Sequence, residues 1–72
     1  MKRGVILSEI ERASVREAAR MLGGVAQLAR CAGLATQTVY RAVAEGSIDR
    51  ATARVLVAAA RDALAAGGAI AA

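Results

Sequence analysis

Gln37 and Arg41 stand four residues apart in the run TQTVYRAV at 36–43, whose apolar members Val39, Ala42 and Val43 recur at helical spacing. A helix over this run buries those three and turns Thr36, Gln37, Tyr40 and Arg41 to the opposite side. The chemistry of that set is recognition rather than reaction. A glutamine amide matches the edge of adenine and a guanidinium the edge of guanine, each through paired hydrogen bonds. A threonine meets a thymine methyl or a phosphate, and a tyrosine ring packs on a methyl or on the backbone. Thr36, Gln37, Tyr40 and Arg41 are therefore candidates for base contacts in the major groove of double-stranded DNA, with a half-buried place on the helix surface as an equal alternative for Tyr40. Gln27, Arg30 and Thr38 are candidates for phosphate contacts, which fix register without reading sequence.

Nothing in the chain supports catalysis in the same way. A single Cys and no His make neither a structural zinc site nor a Cys–His or Ser–His pair. The six carboxylates are scattered, and no glycine-rich loop follows a strand. The chain is read as a non-enzyme with no metal and no cofactor. Cys31 reads as a small, half-buried filler, and a lone cysteine without an intramolecular partner fits a reducing cytoplasm.

The recognition set needs a scaffold, and residues 25–44, VAQLARCAGLATQTVYRAVA, provide one. Val25, Leu28, Ala29 and Ala32 share one face of a first short helix, predicted at about 25–32, and the second is predicted at about 36–45. Gly33 between them takes the left-handed conformation that ends a helix at no side-chain cost, after which Leu34 turns inward. Ala29 is small where two helices joined by a three- to four-residue turn approach closely.

This segment resembles the DNA-binding helix-turn-helix of the Cro/repressor (lambda-repressor-like) and lac-repressor classes of bacterial and phage regulators. Ala29, Gly33, Leu34 and Val39 fall on that motif's structural places, and Gln37-Thr38-Val39 followed by Arg41 is similar to a lac-repressor-type recognition helix. Gly46, a polar linker and an apolar-periodic helix to Leu64 are similar to the Cro/repressor layout and to addiction-module antidote proteins, so the likeness covers about residues 15–64. It implies a sequence-specific transcriptional regulator. These families place Ser or Thr where this chain has Ala35; the missing cap costs about 0.5–2 kcal/mol unless Thr36 caps one residue later.

Seventy-two residues without Pro, Phe or Trp and with one Tyr predict a single all-α domain of about four helices, cored by Ala, Val, Leu and Ile. Ser8 with Glu11 and Ser14 with Glu17 each fit a capping box, so the first helix starts at either, buries Val15, Ala18, Ala19 and Leu22, and ends at Gly23-Gly24. Asp49 caps a last helix to about Ala66, with Ala51, Val55, Leu56, Ala59 and Leu64 on or near its inward stripe; Gly67-Gly68 stop it and leave a frayed tail over 67–72. So small a bundle predicts no ligand pocket.

The net charge of +4 rests almost wholly on arginine, which suits phosphate and guanine. Arg30, Arg41, Arg50 and Arg54 fall in or just after the motif; Arg12, Arg16, Arg20 and Arg61 read as a solvated face with acidic neighbours at helical spacing. The apolar part of Met-Lys-Arg-Gly-Val-Ile-Leu is too short for a signal peptide, and VLVAAA at 55–60 is too short to cross a membrane. Val5-Ile6-Leu7 either covers the bottom of the core or forms a seam between subunits. A homodimer is expected because one recognition helix reads only a few base pairs. The competing reading is an antitoxin or adaptor that docks a protein partner, such as a toxin or polymerase.

Overall fold

The computed structural model describes residues 4–71, with side chains through Gly67; Met1, Lys2, Arg3 and Ala72, including the basic start of the N-terminal run, lie outside the described residues. Four helices follow one another: α1 Glu9–Leu22, α2 Val25–Ala32, α3 Thr36–Val43 and α4 Arg50–Ala71. The fold is all-α. Among the described residues there is no strand, only an isolated antiparallel bridge between Val5 and Ile48.

Local chemistry explains where the helices start. Of the two capping boxes, the first is used: the Glu11 amide donates to Ser8 Oγ at 3.1 Å and the Ser8 amide to Glu11 Oε1 at 2.8 Å. At the head of α4 the Asp49 carboxylate accepts from the Ala51 amide at 3.0 Å. In α3, Ala35 itself occupies the cap position and offers no side-chain acceptor, so Thr36 is the first helical residue rather than a late cap.

Helix ends repeat one backbone device, in which an amide two or three residues past the helix donates to a carbonyl five residues back and the residue before it turns left-handed. Gly24 donates to the Ala19 carbonyl, Leu34 to Ala29 and Gly46 to Arg41, at 2.7, 2.8 and 2.7 Å. The left-handed residue is Gly23 in α1 and Gly33 in α2, but after α3 it is Glu45, φ 65°. The glycine expected to close the recognition helix, Gly46, thus sits one residue beyond the turn.

Leu28, Leu56, Val15 and Val39 are the largest fully buried side chains, surrounded by Ala18, Ala19, Ala29, Ala42, Ala53 and Ala60. Alanine at those places lets the helix backbones approach closely, as the composition predicts. Leu22, Val25, Leu34 and Val43 pack half-buried against this centre. The inward stripe of α4 is rotated from the predicted one: Ala53, Leu56 and Ala60 are buried, Ala59 and Leu64 flank them, and Ala51 and Val55 face solvent. α4 also runs through Gly67-Gly68 to Ala71, past the predicted stop. Glycine within a helix costs about 1 kcal/mol relative to alanine but does not break it, and a side chain at Gly67 would collide with that of Met21.

The N-terminal segment is tied into the monomer. The Val5 amide donates to the Ile48 carbonyl at 2.7 Å and the Ile48 amide to Val5 at 2.9 Å. Leu7 and Ile48 are buried, while Ile6 is 61% exposed. Two of the three apolar residues therefore cover the base of the core. Arg12 joins them, against its reading as a solvated charge: only 15% of its side chain is exposed, its guanidinium donates to the Leu7 carbonyl at 2.6 Å, and it lies 4.0 Å from the Glu45 carboxylate. Arg20 keeps the expected role by pairing with Glu17, and their hydrogen bond holds the Glu17 carboxyl below its ordinary range. Cys31 departs from the filler reading. It lies one turn from buried Leu28 but on the outer side of α2, and is exposed.

Among the described residues, no helix is long and apolar enough to cross a membrane.

Candidate nucleic-acid interface

α3 is presented by its neighbours rather than enclosed by them. It leans on α2 and, to a lesser extent, on α1, and it meets α4 only marginally. Val39 and Ala42 are buried and Val43 half-buried, which fixes the helix about its axis. The opposite face carries Gln37, Tyr40 and Arg41, all exposed, with Tyr40 at 58%. Tyr40 is therefore an outward aromatic rather than a half-buried one. Thr36 and Thr38 are half-buried and lie on the two edges of the face.

The turn holding this face is short: Gly33 is left-handed with φ 71°, Leu34 packs against the core, and Ala35 is extended. Ala29, 1% exposed, sits under the turn and accepts the Leu34 amide. Gln27 and Arg30 are exposed on α2. All seven sequence-predicted contact residues thus lie on the two helices joined by this turn, with Gln37, Tyr40 and Arg41 forming the outermost group. No other side chain within hydrogen-bonding or ion-pairing distance engages Gln37, Arg30 or Arg41 among the described residues, so each is free to meet a ligand.

The structure adds a positioning role for Gly46. Its backbone lies against the Arg41 stem, and a Cβ there would come within 2.8 Å of the Arg41 carbonyl oxygen and collide with Arg41 Cγ. The missing side chain leaves the space through which Arg41 extends. Sequence reasoning treats Gly46 as punctuation; the only cue to its second role is that it falls five residues after a functional side chain, where the helix-end hydrogen bond returns.

Electrostatics across the face is one-signed. Arg30 and Arg41 are its charged groups, and Glu45, just beyond α3, is directed to Arg12. Such a face attracts a polyanion. No three His, Cys, Asp or Glu gather into a metal-binding group among the described residues.

No family model matches the chain, and neither the curated proteins nor the solved structures contain a match to it.

Proposed function

We propose that this chain is a sequence-specific DNA-binding transcriptional regulator of the phage or bacterial Cro/repressor-like kind, which inserts α3 in the major groove and acts as a homodimer on an inverted repeat in the cytoplasm. One observation carries the reading: α3 is anchored by Val39 and Ala42 on one side and leaves Gln37, Tyr40 and Arg41 together and unobstructed on the other. Gln37 and Arg41 read base edges, Thr36 and Tyr40 complete the contact, and Gln27, Arg30 and Thr38 hold the phosphates. In a dimer, half-site centres lie about 34–36 Å apart or at a multiple of that distance.

Selection of bound sequences from a random duplex pool tests the proposal, the expected result being an inverted repeat. On the selected site, Gln37→Ala or Arg41→Ala costs about 1–3 kcal/mol and relaxes preference at one base pair. Arg30→Ala weakens cognate and scrambled duplex alike and lowers the salt slope by about one. Unchanged affinity and preference in both α3 variants removes α3 from the interface. A monomeric mass on a single half-site removes the dimer.

A further inference from the structure

The sequence predicts no pocket, yet an open groove of about 400 Å³ runs between the N-terminal segment and α4. Its floor is apolar, with buried Leu7 and Ala53 and half-buried Val57. Along one wall stand Arg50, Arg54 and Arg61, exposed and spaced at four and seven residues, so that they share one edge of α4. None of the three pairs with a carboxylate of the described residues. Among the described residues, only Glu11 brings a carboxylate to the groove lining, and one of its oxygens already accepts the Ser8 amide. No residue of α3 lines the groove.

We propose that this groove docks an acidic, amphipathic segment of a partner protein, apolar side chains seated on Leu7, Ala53 and Val57 and carboxylates placed against Arg50, Arg54 and Arg61. Three observations select that occupant. A cavity of about 150 Å³ takes one benzene-sized group, so the groove has room for about two apolar side chains. Duplex DNA would satisfy the arginines but would leave the apolar floor unmatched, because its outer surface is phosphate and sugar. A second copy would bring its own net charge of +4 towards a rim of three cations and one carboxylate. The proposal stands independently of α3 and gives the protein a second, separate contact surface.

The test is to pan a displayed library of random peptides against the full chain and then measure one synthesised winner by fluorescence anisotropy. Winners should interleave Asp or Glu with Leu, Ile or Phe. Arg54→Gln combined with Arg61→Gln should weaken the peptide about ten-fold and flatten its salt dependence. Ala58→Trp, an exposed position on the groove wall, fills the groove without changing charge and should abolish peptide binding. Circular dichroism should show unchanged helicity in both variants, and Gln37→Ala should leave peptide affinity as it was. Recovery of no peptide, of basic or purely polar peptides, or of acidic ones indifferent to both groove variants overturns the proposal. A wild-type dimer in sedimentation that Ala58→Trp dissociates makes a second copy the occupant instead. Loss of random-duplex binding in Ala58→Trp makes it DNA. If no duplex is selected while the acidic peptide still binds, only the reading of α3 falls.

Discussion

The ends of α2 and α3 bend the same way with different residues. Gly33 and Glu45 both take the left-handed conformation, φ 71° and 65°, and in each case the following amide closes the turn on a carbonyl five residues back. At Gly33 nothing lies within 4 Å of where a Cβ would be, so this glycine serves backbone conformation alone. At the end of α3 the order is reversed. The left-handed place goes to Glu45, at a cost of about 1–2 kcal/mol for a residue with a Cβ, and the glycine follows it because Arg41 leaves no room for a side chain. Glycine thus meets two distinct needs, dihedral freedom and space, and where they compete at adjacent positions space prevails.

Replacing each residue in turn separates the two needs. Gly46→Val has the largest expected effect, a loss of about 3 kcal/mol from overpacking against the Arg41 backbone, read as a lower midpoint in thermal unfolding. Gly46→Asn should fare no better, since the obstacle is volume. Gly33→Val should lose about 2 kcal/mol through strain at positive φ, and here Gly33→Asn should recover most of the loss because asparagine tolerates that region. Equal behaviour of asparagine at the two positions would erase the distinction. Ala35→Ser, across the turn from Gly33, should raise stability by about 1 kcal/mol by supplying the absent cap of α3. Glu45→Gly should gain about 0.5 kcal/mol, the relief of positive φ being partly offset by the entropy of a freer unfolded chain. A loss in that variant would mean that the contact with Arg12 outweighs the backbone strain.

What could be read in the sequence was whatever is decided within one helical turn. Ser8 with Glu11, Asp49 with Ala51, Gly23 and Gly33 act on neighbours two to five residues away, and the apolar faces of α1, α2 and α3 follow from spacing alone. The outward set Gln37, Tyr40 and Arg41 was legible for the same reason, because burying Val39 and Ala42 leaves it no other direction. Arg12 was not legible, since its partners Leu7 and Glu45 are brought together only by the packing of the N-terminal segment on the α3–α4 linker. Neither was the groove, which exists because that segment lies beside α4 without filling the gap. The stripe of α4 was misjudged for a related reason: with alanine at so many places, more than one face is apolar enough to turn inward, and α1 decides which one does.

The packing of α1 has a consequence for how the protein is made. The most extensive contact of α1 is with α4, the last of the four described helices, and the bridge from Val5 reaches Ile48 just before that helix begins. While the polypeptide is still emerging from the ribosome, α2 and α3 can pair through their short turn and meet α1, but the most extensive contact of α1 is missing until α4 appears. This part of the fold is therefore expected to close as a single event, and only once α4 is available. A nascent chain stalled before Ala53 should remain open to protease, whereas one released beyond Leu64 should close.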